Sequence, residues 1–201
     1  MSLKERIYSV LIVSSSESIN SALTALLPMS DFSPVSVASS ISSAKRMLEE
    51  RSYDFVIVNS PLPDDVGTRF AIDVNLSVST VVLLMLKAEI HDEVHAQVAD
   101  HGVFTLAKPT STKTVATAIS WLCSAREKLR RNEKKTVSIE FKMEEIRLVN
   151  RAKWLLISEN GLDEPDAHRF IEKAAMDRCV SKKEIAEDII AHRLRFERGA
   201  E

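Results

Sequence analysis

The stretch Asp54–Ser60, DFVIVNS, is an almost unbroken apolar run held between polar ends. A strand with one wet face alternates apolar and polar side chains, whereas a strand covered on both faces stays apolar throughout. The same texture recurs along the first half of the chain and predicts strands over Tyr8–Val13 (YSVLIV), Pro34–Ala38, Phe55–Asn59, Thr80–Leu86 and Val103–Ala107. Amphipathic stretches separate them: Ile19–Leu27, Ile41–Arg51, Gly67–Asn75 and Asp92–His101. Within the second, Ile41, Ala44, Met47 and Leu48 make one apolar stripe at helical spacing. Alternating β and α units of this length predict a parallel sheet covered on both faces, with right-handed crossovers.

Five such units in about 120 residues predict an α/β, flavodoxin-like domain with a five-stranded parallel sheet over residues 1–122. Its crevice is expected at the carboxyl ends of the first, third and fifth strands, where Ser14, Ser15, Ser16, Asn59 and Lys108 meet. From Thr112 the pattern turns helical. Ile119, Leu122, Arg126 and Leu129 step along one face, then follows the polar run Arg130–Lys135 (RRNEKK). The segment Arg126–Lys135 reads either as a charged coiled-coil surface or as a solvated hinge, and residues 123–143 as a helical linker. Val137, Ile139, Phe141 and Met143 alternate at period two, so Thr136–Met143 is open between helix and strand.

Helical spacing returns with Ile146, Val149, Ala152, Leu155 and Leu156, and Gly161 ends that helix. Asp163 caps a second helix that carries Pro165 and Asp166 in its first turn. Ser181 and Glu184 form a capping box for a third. Residues 144–201 therefore read as an all-α three-helix domain.

Net charge is −2, divided as −4 over residues 1–125 and +2 over 126–201, too small an excess to imply nucleic acid by itself. There is no apolar run long enough to span a bilayer and no secretory leader, so a cytoplasmic protein is expected. Cys123 and Cys179 lie in different halves and read as packing residues rather than a disulfide. His91 and His95 sit one turn apart with no third ligand in sight, and His101, His168 and His192 add no metal constellation. Asp64 and Asp65 follow Pro63 in a turn and read as a solvated loop. No nucleophile–base pair, glycine-rich phosphate loop or carboxylate dyad stands out, which points away from an enzyme and from any cofactor.

Tyr8–Val13, Asp54–Ser60 and Lys108-Pro109 resemble the receiver domain of two-component response regulators. The resemblance implies an acidic Mg²⁺-binding pair after the first strand and a phosphoacceptor aspartate ending the third. Here Ser14 and Ser15 stand at the first place and Asn59 at the second, with Lys87 and Thr105 at the two switch positions. An amide cannot form an acyl phosphate, and serines do not replace carboxylates as hard Mg²⁺ ligands. The resemblance thus implies a degenerate phosphorylation site made of Ser14, Ser15, Asn59, Lys87 and Lys108, silent to phosphate. Without carboxylates Lys87 and Lys108 would seek Glu17, Asp64 or an anion. The crevice is then either an anion or ligand pocket, or a lysine satisfied by backbone carbonyls and water.

Glu145–Ile190 resembles the ANTAR domain of bacterial transcription antiterminators, through Asn150-Arg151-Ala152-Lys153, Leu155-Leu156, Gly161-Leu162, Glu164–Ala167, Ala174-Ala175 and Ile185–Ile190. Trp154 departs from a small residue in that family, and Ser158 from a methionine. The resemblance implies binding of hairpin loops in mRNA leaders, with Arg151, Ala152, Lys153, Lys182, Lys183 and Arg193 at the contact and Arg195 extending it. Ala152 is there as a small residue that lets a nucleic-acid backbone or a neighbouring helix come close. A homodimer through the linker helices and a protein or ligand signal at the pseudo-receiver are also implied. Trp154 and Phe170 read as core aromatics, and Lys183 pairs with Glu187 on a solvated helical face in the blander reading. The alternative function is a protein-interaction adaptor with no RNA; a DNA-binding regulator is disfavoured for want of a helix-turn-helix pattern.

Overall fold

A computed structural model of the chain describes residues 7–77 and 80–194. The strands are β1 (Tyr8–Val13), β2 (Phe32–Ala38), β3 (Phe55–Asn59), β4 (Val81–Lys87) and β5 (Phe104–Lys108). Between them run α1 (Glu17–Ala25), α2 (Ile41–Glu50), α3 (Thr68–Ser77) and α4 (Ala88–Val98), the last continuing into a short 3₁₀ turn, Ala99–His101. The helix expected over Asp92–His101 starts one turn earlier, because Glu89 suits a helix first turn and Ile90 packs on the sheet. The sheet is wholly parallel, in the order β2-β1-β3-β4-β5.

The apolar runs divide strictly by parity. Val10, Ile12, Phe55, Ile57, Val81, Leu83 and Met85 pack with Leu23 of α1, with Leu27 just beyond it, and with Val115, Ile119 and Leu122 of the next helix, α5 (Thr112–Asn160). Leu11, Val13, Val56, Val58, Val82, Leu84 and Leu86 pack instead with Ile41 and Ala44 of α2, Phe70 and Val74 of α3, and Val94 and Val98 of α4. Both faces of the sheet are thus dry, and each fully buried aliphatic side chain contributes on the order of 1.5–3 kcal/mol.

One polar cluster is built into this unit. Asp54, just before β3, accepts hydrogen bonds from the Ser9 backbone N–H (3.0 Å) and hydroxyl (3.1 Å) of β1. Its other oxygen accepts from Arg126 Nε (2.9 Å) and Arg130 Nη2 (2.8 Å) of α5. Arg130 also lies over the Tyr8 ring, whose hydroxyl donates to Glu127 (3.1 Å). Burial disfavours the Asp54 carboxylate, but the Ser9 N–H and the two guanidinium groups outweigh it and hold its pKa below the ordinary value. The segment from Arg126 is accordingly neither a hinge nor a free coiled-coil surface at its start: its first two arginines are anchored to the sheet.

Packing divides the chain after Arg131 into two compact units, residues 1–131 and 132–201. Thr136–Met143 is helix, part of α5; Val137, Ile139, Phe141 and Met143 are all exposed, so the period-two alternation has no sheet face to serve. The second unit contains the end of α5, then α6 (Glu164–Arg178) and α7 (Lys182–Ile190). Gly161 takes a left-handed φ of 66° and stops α5, Asp163 caps α6 by accepting from the Asp166 N–H, and Ser181 and Glu184 form the capping box of α7. Ala152, Leu156, Ala167, Ile171, Ala175, Ile185, Ala186 and Ile189 make its core. Phe170 packs against this core as expected, but Trp154 does not: it is 71% exposed. Of the two free cysteines, Cys123 packs on the sheet side while Cys179 is exposed, at the left-handed C-cap of α6.

Replacing Asp54 by Asn leaves two partly buried guanidinium groups short of their counter-charge, with an expected loss of about 2–3 kcal/mol in denaturant unfolding at pH 7. Because the folded pKa is depressed, this contribution is complete above the unfolded value of about 3.9 and vanishes as pH falls through the lower folded value. Parent and Asp54→Asn stabilities should therefore converge in strong acid, and a gap that persists there refutes the assignment.

Candidate functional site

Three of the five crevice residues meet at the carboxyl ends of the strands. Ser14 follows β1, Asn59 ends β3 and Lys108 ends β5, around the point where the strand order reverses direction. The buried Ser14 hydroxyl accepts from Asn59 Nδ2 (3.0 Å) and from the Ser16 N–H (3.2 Å). Lys108 Nζ donates to Asn59 Oδ1 and to the Ser60 carbonyl. The ammonium is therefore met by an amide and a backbone carbonyl rather than by Glu17 or Asp64. Burial, and then the Lys87 charge, push the Lys108 pKa below its usual value. Lys87 stands opposite Lys108 in the β4–β5 register but is itself exposed, and so is Ser15, which makes no hydrogen bond to this network.

Asp64 does more than end a solvated turn. It accepts from the Ile41 and Ser42 N–H groups (both 3.1 Å) and the Ser42 hydroxyl (3.2 Å), closing the N-terminus of α2. The Ser42 N–H leads the contacts that depress its pKa. Asp65 accepts from the Gly67 N–H (2.8 Å). Neither carboxylate is therefore free to serve the crevice. The Mg²⁺ that a receiver fold implies needs hard, negatively charged oxygens; the donor set here is a hydroxyl, an amide and a lysine ammonium, which does not fit that ion. At the other switch position, Thr105 Oγ1 is bonded to His95 Nδ1 (2.7 Å) and His91 Nε2 (3.2 Å), and the two rings stack at 5.7 Å.

In the second unit the three candidate lysines are engaged. Lys153 Nζ pairs with Glu164 (2.8 Å), Lys182 with Glu172, and Lys183 with Glu187 (3.9 Å) while also lying 5.1 Å from the Phe141 ring centre. Lys153 and Lys182 hold the Glu164 and Glu172 carboxyl pKa values below normal. Arg193 reaches Asp188 at 4.0 Å, and Arg195 lies outside the described residues. Ala152 is fully buried in the helical core, so its small side chain serves helix packing and is not presented to RNA. Arg151 is exposed, and among the described residues no carboxylate pairs with it.

Residues 139–190 match the ANTAR domain model. Over 182 residues the chain is 28% identical to the transcriptional regulatory protein PdtaR of Mycobacterium tuberculosis, covering 90% of this chain and 88% of that one. The chain thus carries an ANTAR domain at residues 139–190, and its arrangement is similar to that of an ANTAR response regulator. Its N-terminal unit superposes on the signal receiver domain of an HD domain-containing protein from Pseudomonas fluorescens Pf-5, with a TM-score of 0.56, 22% identity, and coverage of 65% of this chain and 96% of that one. It is also similar to a structure described as adenylate cyclase from Rhodopirellula baltica, at a TM-score of 0.58, 17% identity, and coverage of 64% and 96%. At these identities the likeness is one of fold.

Two further residues are exposed on the same helix, four and three positions from Arg151: Arg147, which the motif does not include, and Trp154, expected in the core. In the receiver-like unit the Ser14–Asn59–Lys108 network makes its own forecast. Asn59→Asp would set a carboxylate against the Lys108 ammonium and lower the new carboxyl's pKa, adding about 1 kcal/mol of stability at pH 7. That gain disappears as pH falls below about 4, through the depressed folded pKa. Denaturant unfolding from pH 7 to pH 3 measures it, and an Asn59→Asp variant less stable than the parent at pH 7 contradicts the geometry.

Proposed function

We propose that this regulator acts in the cytoplasm as a dimer that binds hairpin loops in nascent mRNA leaders and so prevents a competing terminator stem from forming. One observation carries this reading above others: residues 139–190 match the ANTAR domain and form a capped three-helix unit with Arg151 exposed and unpaired among the described residues. Phosphate recognition needs accessible cations, and loop recognition needs groups that reach unpaired bases. Lys182, Lys183 and Arg193 contribute as well, because exposed ion pairs are worth only about 0–1 kcal/mol and RNA phosphate can displace their carboxylates. Lys153, mostly buried against Glu164, holds α5 to α6 instead. Exposed Ile139, Met143 and Ile146 on α5 support the dimer, since a second helix would cover them. Among the described residues no helix is long and apolar enough to cross a membrane.

The receiver-like unit, in this proposal, works without phosphorylation. Asn59 offers no acyl-phosphate chemistry, and its amide is already bonded to Ser14 and Lys108. Input then comes from a protein partner, a ligand in the crevice, or the abundance of the protein itself.

Binding to a library of small hairpin RNAs, read across salt concentrations, tests the RNA reading. Selective capture of loop-bearing RNA is expected, and Arg151→Ala should weaken it across sequences while reducing the salt slope by about 1. Neutralising Lys182 and Lys183 together should act in the same direction. Absence of any loop preference in folded protein would favour the adaptor. Incubation with acetyl phosphate and Mg²⁺ should leave the intact mass unchanged; a phosphoryl adduct on the receiver-like unit would sink the phosphate-free mechanism.

A further inference from the structure

Trp154 is an expensive residue to leave in water, and 71% of it is there. It lies one turn beyond Asn150 and Arg151 on α5 and two turns beyond Arg147, so the 3.6-residue period gathers all four on one exposed face. Among the described residues neither arginine has a carboxylate partner, whereas Lys153, Arg178, Lys182, Lys183 and Arg193 of the same unit all do. The tryptophan is thus ringed by uncommitted cations and an amide. On that face Arg147, Asn150 and Arg151 precede it; Ile157, three positions on, is turned partly into the core, and Ile139, Met143 and Ile146 lie two to four turns farther back along α5. Two uncommitted guanidinium groups and an amide beside an exposed indole suit an unpaired base and its flanking phosphates better than an apolar helix.

We infer that Trp154 is a stacking platform for an unpaired RNA base, with Arg147 and Arg151 meeting the flanking phosphates and Asn150 reading the base edge. This rests on the RNA-binding reading above and names the residue that gives it affinity for loops over stems. A paired base in A-form RNA hides its face in the stack, while a loop base can be splayed onto an indole. Stacking neutralises no phosphate, so Trp154 should contribute affinity without contributing to salt dependence. The arginines should do the reverse.

The test uses the full chain with Trp121→Phe, which leaves Trp154 as the sole tryptophan of the two. Hairpin RNAs with randomised loops, and the best binder among them, serve as probes. Saturable quenching of Trp154 emission is expected, with a midpoint equal to that of RNA binding. Trp154→Ala should weaken loop binding roughly tenfold to a hundredfold with an unchanged salt slope, and Trp154→Phe should restore part of the loss. Arg147→Ala should lower the slope by about 1. Circular dichroism and sedimentation of each variant monitor fold and oligomeric state. Wild-type binding that is matched by Trp154→Ala, with no quenching, overturns this inference while the RNA reading stands. Affinity lost only because Trp154→Ala dissociates a dimer also overturns it, and assigns the face to a second copy of the chain. Failure of the parent itself to bind any hairpin overturns both.

Discussion

The Asp54 carboxylate is the point on which the receiver-like unit turns. It joins two adjacent strands and the helix that follows the sheet: Ser9 of β1 from one side, Arg126 and Arg130 of α5 from the other. Only 12% of its side chain is exposed, so its charge is tolerable only because both oxygens are met. The contact fixes where α5 begins its course over the sheet, setting Val115, Ile119 and Leu122 against Ile12, Ile57 and Leu83. An apolar face alone would allow those helices to slide; a doubly bonded carboxylate does not.

The same two strands carry opposite kinds of chemistry at their two ends. At the amino end a full negative charge is held by two cations. At the carboxyl end, where a flavodoxin-like sheet opens its crevice, the partners of the lysine are an amide and a carbonyl. A receiver that cycles through phosphorylation needs concentrated negative charge at that end to hold its metal. Here the buried hydroxyl of Ser14 and the amide of Asn59 satisfy one another, and Asp64 and Asp65 close helix and loop backbones instead. Ser14, Asn59 and the Lys108 ammonium already have partners, although the buried Ser60 hydroxyl beside them has none among the described residues, and no carboxylate stands among them; that is the physical basis for proposing a signal other than phosphate.

The helical unit shows the converse arrangement. Its lysines knit helices together: Lys153 links α5 to α6, and Lys182 links α7 back to α6. Its small residues Ala152, Ala167 and Ala186 lie fully buried in the core between the helices. On the last turns of α5, Arg147, Asn150, Arg151 and Trp154 remain exposed. Division of labour among like residues, with some cations structural and others available, is what separates a helical bundle from a helical bundle that can meet a polyanion.

Much of this was legible in the chain. Uninterrupted apolar runs such as FVIV in β3 require two dry faces, so the layered parallel sheet followed from local pattern alone. Gly161, Asp163 and the Ser181–Glu184 box fixed where the helices of the second unit end and begin, because caps satisfy orphan backbone groups by nearest-neighbour chemistry. Asn59 in place of a carboxylate was likewise plain. The alternation in Thr136–Met143 misled by half, since period two means a strand only if a neighbouring strand exists to pair with it. Tertiary structure alone decided which charges are used up. That Asp54 binds Arg126 across 72 positions, that Asp64 caps α2, that Ala152 is enclosed and that Trp154 stays in water all depend on segments distant in sequence. Local pattern records what each residue prefers; which partner arrives to satisfy it is settled only when the chain folds back on itself.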